Sequence, residues 1–488
     1  MANTIGTATS EQSIEPQQDK VSPDSHDNGQ GRNPMKLNGR HRLVVAFTFF
    51  SMFFGAGNLI FPPLMGAQAQ SAALPATIGF IVSAVGLPIL GVLAVASAGG
   101  FEHLASRVSP KFAAVLAFVI IMAIGPCFAI PRTATTSYEM AITPFAGENN
   151  RLALLLYSIV FFALSFLLSQ HPEKLSKSLG RFMGPLLLVL IAVMFVSCIF
   201  IGHRALGKPF GDYAHGSLIY GFVNGYQTMD LLAALYFGIV ISANIAQFGV
   251  TDTKANRRET GIAGTGAGIL LIIIYAALSF IGAVSGSIKS ANGKDDTGAT
   301  VLTNLTTSAF GSIGTAFVGV IFVLACFNVC TGLISTCATY FENTFPTVFG
   351  HPVKYRAWSV FFAVFSFVVS NAGLSAIITV SLPVLGALYP IAIVLVLLNL
   401  VEKPFSSKFP RVYFWTVLLV ALFTIFDCIV KLLAVFGLPV TSVNQALAAL
   451  PLYEAQLTWL IPAVAGIVIG IIDSLIRSHR HVQVAASD

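Results

Sequence analysis

The sequence is poor in charge. Asp, Glu, Lys and Arg make up 10% of its 488 residues, against 55% hydrophobic ones, and the mean hydropathy is +0.80. Soluble domains carry about 25% charged residues. A chain with so little charge cannot cover a globule with polar surface, so lipid must take that role. Cysteine is scarce as well. The six are Cys127, Cys198, Cys326, Cys330, Cys337 and Cys428, all inside apolar segments and none in a Cys-x-x-Cys pair. Cys326 and Cys330 share a helix face, but no His accompanies them. That argues against a metal centre and in favour of small buried hydrophobes. No His/Asp/Glu cluster suggests catalysis and no soluble output domain suggests a receptor, so a membrane receptor or enzyme is a distant alternative. No cofactor is expected. The net charge of +6 comes from basic residues gathered in loops and does not point to nucleic acid.

Long apolar runs are what the sequence has in quantity, from about residue 43 to about 476. A bilayer crossing needs about 20 apolar residues as helix. These runs are too long for barrel strands and do not alternate, so the expected class is an all-α polytopic membrane protein. About twelve spans are expected, at roughly 43–66, 75–98, 111–142, 152–170, 182–201, 217–248, 262–286, 308–341, 356–371, 375–400, 412–434 and 456–476. Residues 1–35 are rich in Ser, Gln, Asn, Asp and Gly and read as a disordered tail. The run from Leu43 has no small-residue cleavage site, so no cleavable leader is expected.

Alternate links between spans differ in charge. One set holds most of the Lys and Arg, among them Lys36, Arg40, Arg42, Arg107, Lys111, Lys254, Arg257 and Arg258. The other holds Arg151, Arg204, Lys208, Lys289 and Lys294. Cytoplasmic loops carry the excess. Both termini are therefore expected in the cytoplasm, with the polar stretch at about 287–307 outside.

Two spans read badly as continuous helix. Span one contains Phe53-Phe54-Gly55-Ala56-Gly57-Asn58-Leu59-Ile60-Phe61-Pro62-Pro63, and span six contains Asn224-Gly225-Tyr226-Gln227-Thr228-Met229-Asp230. Close packing through small residues would explain Gly55 and Gly57 alone. It does not explain Asn58, the Pro pair and a matching break five spans later. Interrupted helices at corresponding places in two halves mark an inverted-repeat secondary transporter. The second half-helix of a break presents free N–H groups suited to a carboxylate, and the first ends in carbonyls suited to a cation.

The span-one motif resembles the signature of the bacterial branched-chain amino acid:cation symporters, the BrnQ-like family. Gly125-Pro126, Pro131-Arg132-Thr133-Ala134-Thr135, Ser137-Tyr138-Glu139-Met140, Thr228-Met229-Asp230 and Leu398-Asn399 fit as well. The similarity covers about residues 40–475. It implies sodium-coupled symport of leucine, isoleucine and valine by alternating access in the bacterial cytoplasmic (inner) membrane. It also implies a LeuT-like fold of two inverted five-helix repeats plus two helices. The corresponding division is a tail at 1–35, a core at 36–404 with repeats at about 43–201 and 217–400, two further spans within 405–476, and a cytoplasmic tail at 477–488.

The LeuT-like fold places a sodium between spans one and eight. Here Gly332, Ser335 and Thr336 stand at i, i+3 and i+4, one carbonyl and two hydroxyls on one helix face. Aligning Asn58 with the fold's Asn adds the carbonyls of Ser51 and Phe54. Ser and Thr in membrane helices also bond their own i−4 carbonyl, which is the plainer reading of Ser335 and Thr336. For the substrate, amides at Gly55, Ala56, Gly57 and Asn58 are expected to meet the carboxylate. Carbonyls near Tyr226, Gln227 and Thr228 would meet the ammonium, and Phe53 or Phe54, with residues such as Met229, would wall the side chain. Such a wall separates Leu from Ile or Val weakly, since one methylene is worth about 1–3 kcal/mol.

Charges inside spans are costly and face a cavity or a partner. Arg132 and Glu139, seven apart in span three, are candidates to form a network with Asp230 of span six. Asp427 and Lys431 are read as a local i, i+4 pair. A proton carried on Asp230 or Glu139, in a carrier of another amino acid, is the alternative mechanism.

Overall fold

The computed structural model describes residues 36–147, 150–170, 188–189, 191–193, 195–197, 206–285, 297–401 and 408–485. The expected tail at 1–35, most of the fifth span and the part of the outer loop before residue 297 lie outside these residues. The helices are α1 (Gly39–Phe53), α2 (Ala56–Ala69), α3 (Ala73–Ile81), α4 (Leu87–Ala98), α5 (Phe101–Ser106), α6 (Pro110–Met122), α7 (Ala129–Ala141), α8 (Thr143–Ala146) and α9 (Arg151–Ser169). After the undescribed region come α10 (Tyr213–Asn224), α11 (Asp230–Gln247), α12 (Thr253–Ser285), α13 (Gly298–Thr344), α14 (Tyr355–Ser370), α15 (Leu374–Leu400), α16 (Val412–Val435), α17 (Thr441–Ala448) and α18 (Leu460–Ala485). Thr347–Val348 and His351–Pro352 pair as a minimal antiparallel hairpin.

Eight of these helical stretches are long and apolar enough to cross a membrane, and α14 is apolar but shorter. Twelve spans would need the broken helices and the fifth span in addition. Hydrocarbon offers no partner for a backbone N–H or C=O, so each crossing satisfies its own groups as helix. Leu155, Val160 and Leu164 of α9 point outward and stay exposed, as a lipid-facing surface requires.

The helices break where the local chemistry allows. After Phe53, Phe54 turns extended (φ −79°, ψ 98°) and α2 restarts at Ala56. After Asn224 a tight 3-10 turn, Gly225–Thr228, leads to Met229 in the left-handed region (φ 61°), and α11 restarts at Asp230. Two more irregularities were not expected. A π-bulge over Ala123–Cys127 separates α6 from α7, at Pro126, which lacks the N–H an unbroken helix would use. Helix α13 begins at Gly298, inside the stretch read as loop, and turns at Gly311 (φ 65°), a conformation that glycine adopts without a Cβ penalty. The chain end read as a tail from 477 continues α18 to Ala485.

The packing repeats itself with partners exchanged. Helices α1 and α2 run along α12, while α10 and α11 run along α3 and α4. Close approach is achieved by glycine on both sides. A Cβ on Gly66 would strike the Ser279 carbonyl, and one on Gly282 the Pro63 carbonyl. Likewise one on Gly79 would strike the Leu218 carbonyl, and one on Gly221 the Ala76 carbonyl. Small residues of this kind let membrane helices touch through their backbones. Each broken helix is thus clasped by the long helix of the other half, and Thr77 Oγ1 meets Ser279 Oγ at 2.6 Å between the two clasps. Helices α16 and α18 pair with each other beside α15.

Candidate functional site

Both breaks open on one cavity. Phe53, Gly55, Ala56, Gly57 and Asn58 line it from the first, and Thr228, Met229 and Asp230 from the second. Ile124, Ala129, Arg132 and Thr133 close it from the bulge and α7, and Val329 and Leu333 from α13.

Asn58 ties the two breaks together. Its Oδ1 accepts the Gly55 N–H at 3.1 Å, while Nδ2 donates to Asp230 Oδ2 at 2.6 Å and to the Tyr275 hydroxyl at 2.5 Å. Asn58, Asp230 and Tyr275 are all buried. The first turn of α2 meanwhile lacks intrahelical acceptors for its N–H groups, as every helix start does, and those groups belong to residues that line the cavity.

Arg132 is the cavity's cation. Its Nη1 donates to the Gln227 carbonyl at 2.8 Å, and its guanidinium carbon lies 5.2 Å from the centre of the Phe61 ring. Gly57 makes room for it, because a Cβ there would lie 2.8 Å from Nη2. The carbonyl of Gln227 is thereby engaged, and that of Tyr226 accepts the Met229 N–H at 3.0 Å. Tyr226 and Gln227 brace the wall from behind. The Tyr226 ring stacks on Tyr389 of α15 at 4.2 Å, and Ser381 donates to Gln227 Oε1 at 3.4 Å. Phe54 likewise stays outside the lining, stacked on Phe50, while Phe53 lines the cavity and stacks on Phe49.

Glu139 is bonded elsewhere. It accepts from Thr297 Oγ1 at 2.6 Å, and Thr297 caps the start of α13. Of the three intramembrane charges joined by sequence spacing, only Arg132 and Asp230 meet at the cavity. Asp427 and Lys431 pair at 2.7 Å as their spacing indicates.

Val329, Gly332, Leu333 and Thr336 fall on one face of α13. Gly332 and Thr336 thus share a face with the lining residues Val329 and Leu333. Gly332 is exposed there with open space beside it, Ser335 is half-buried, and Thr336 Oγ1 donates to the Gly332 carbonyl at 2.9 Å. Ser51 lies in the last turn of α1. Arg132, which lines the cavity, and its neighbours Phe61 and Gln227 are all buried.

Tyr275 escaped the reading of the sequence. Its signal was there, a lone hydroxyl after Ile272-Ile273-Ile274. A buried polar group in an apolar span needs a partner, and its partners are Asn58 and Asp230. Tyr389, Ile124, Val329 and Leu333 carried no local signal, because they join the site only through packing between distant spans.

Comparison with known proteins agrees with this geometry. Residues 38–476 match the family described as branched-chain amino acid transport protein. The branched-chain amino acid transport system 3 carrier protein of Pseudomonas aeruginosa is 39% identical over 430 residues, which is 88% of this chain and 95% of that one. The branched-chain amino acid permease BrnQ of Bacillus subtilis is 35% identical over 447 residues, 91% of this chain and 99% of that one. Among solved structures, a nucleobase-cation-symport-1 family transporter in a closed conformation superposes with a TM-score of 0.55 at 13% identity, over 90% of this chain and 93% of that one. MhsT in complex with L-phenylalanine gives 0.53 at 15% identity, over 90% and 99%. The fold is LeuT-like, with its first and sixth spans broken, and the chain belongs to the family of branched-chain amino acid transport proteins.

Proposed function

We propose that this chain is a sodium-coupled symporter that carries leucine, isoleucine and valine into the cell by alternating access. The observation that carries the reading is the cavity shared by the two helix breaks, in a chain whose relatives are named as branched-chain amino acid carriers and permeases. The substrate would lie between Gly55–Asn58 and Thr228–Asp230, with its carboxylate at the start of α2. Its apolar side chain would lie toward Phe53, Met229, Val329 and Leu333. Burial among such groups excludes polar side chains through their desolvation cost.

Sodium is a hard cation that takes oxygen ligands. The Gly332 carbonyl and the hydroxyls of Ser335 and Thr336 are neutral oxygens of that kind, close along α13 to the lining residues Val329 and Leu333. With the backbone carbonyls of Ser51 and Phe54 they would form the ion site. The bond from Thr336 to Gly332 would open to admit the ion. Residues 36–404 would form the transport core in two inverted repeats, with 405–476 outside it. The protein would sit in the bacterial cytoplasmic membrane with both termini in the cytoplasm.

A second reading rests on Asp230, a carboxyl buried at the cavity, which could carry a proton in place of sodium. Uptake of radiolabelled isoleucine into proteoliposomes separates the two. An imposed sodium gradient is expected to drive accumulation that excess leucine or valine competes away. Accumulation driven by a proton gradient alone would assign coupling to Asp230, and none under either gradient would refute the substrate assignment.

A further inference from the structure

We propose that Arg132 reads the carboxylate of the transported amino acid; the inference rests on the amino acid reading above and names the residue that recognises the charged end. Four observations converge. Arg132 is 3% exposed, yet it lines the cavity. Its Nε–H is buried without an acceptor among the described residues. The guanidinium is not free to swing toward water, because the Gln227 carbonyl holds Nη1 and Phe61 lies beneath its plane. Among the described residues no carboxylate lies within ion-pair distance of it.

A buried cation with an unmet N–H is costly unless something completes it. An arginine kept only to hold helices together would have its donors met by protein. The missing partner here is an anion presented from the cavity. The guanidinium also packs over Gly57 in the first turn of α2, so its charge adds to the positive end of that helix. Free N–H groups, the dipole and a guanidinium fork thus converge on one spot, the donor set that a carboxylate fills with two parallel bonds. Asp230 lines the same cavity, and its side-chain donors Asn58 and Tyr275 both bond Oδ2. A cation and a carboxyl on one cavity match the two ends of a zwitterion.

The test compares isoleucine with isoleucinamide, which keeps the ammonium and loses the carboxylate, as competitors for radiolabelled isoleucine in proteoliposomes with sodium. The wild-type chain is expected to prefer isoleucine strongly. Arg132→Gln is expected to lose roughly tenfold to hundredfold in isoleucine affinity, the size of a bond to a charged group, and to treat the two ligands nearly alike. Arg132→Lys keeps the charge but not the fork, so it should bind more weakly and still prefer isoleucine. It decides the matter if the Gln variant does not fold. Weakened binding with the wild-type preference intact in Arg132→Gln, or wild-type affinity in Arg132→Lys, would overturn the proposal and leave the transport reading standing. A wild-type chain that binds neither ligand would remove both.

Discussion

Asn58 serves three groups at once, the Gly55 N–H, Asp230 and Tyr275. Replacing it with Ala leaves buried polar atoms unpaired on both breaks. Asn58→Ala is expected to lower stability by about 1–3 kcal/mol, read as a lower midpoint of thermal unfolding in detergent, and to abolish isoleucine uptake. Gly57 and Arg132 form a second test. A Cβ at 57 would push on the guanidinium, so Gly57→Ala should weaken uptake sharply in the wild-type background and much less when Arg132 is already Gln. A double-mutant cycle measures that coupling, and additive losses would show the two residues to be independent. At this scale the sequence was informative wherever a polar or charged residue stood in an apolar run. Asn58, Arg132 and Asp230 were all visible in that way. Which groups they bond was not, because the Gln227 carbonyl and Tyr275 are reached across spans far apart in the chain. Glu139 shows the limit. Its spacing from Arg132 suggested a shared network, and its partner turned out to be the cap of α13.

At the scale of elements, the breaks after Phe53 and Asn224 were legible because Gly, Asn and Pro disrupt an apolar helix for local reasons. The bulge at Ala123–Cys127 is hard to see in the sequence despite Gly125-Pro126, because such a bulge keeps the chain helical on either side of it. The turn at Gly311 is set by one positive φ and leaves the hydropathy of its surroundings unchanged. The clasp between halves depends on glycine at backbone contacts. Gly66→Ala is expected to force α2 away from α12 and cost about 1–3 kcal/mol, as overpacking does. Gly386→Ala, on a helix face with nothing within 4 Å, should leave stability unchanged or slightly raised. Thermal unfolding of the two variants side by side checks the contrast.

Across the whole molecule, hydropathy and loop charge were enough to indicate a polytopic helical protein. The exchange of partners between its halves could not be read, since the two breaks share no motif that would align them. Arg132 lines the cavity, and Gly332 and Thr336 share a face of α13 with its lining residues Val329 and Leu333. Helix α1 starts at Gly39, three residues from Arg42. At that end Arg42 grips Glu259 with two bonds of 2.7 Å, fastening α1 to α12. Movement of α1 against α13 would then open and close the proposed ion site. Ser335→Ala with Thr336→Ala is expected to raise the sodium concentration needed for half-maximal isoleucine uptake by about tenfold or more, and an unchanged sodium dependence would remove these hydroxyls from the ion site. The most direct test of the account is an experimental structure of the full chain with isoleucine and sodium bound. It should show the amino acid between Gly55–Asn58 and Thr228–Asp230, its carboxylate at the start of α2 beside Arg132. Density for isoleucine anywhere else in the molecule, with this cavity empty, would contradict it.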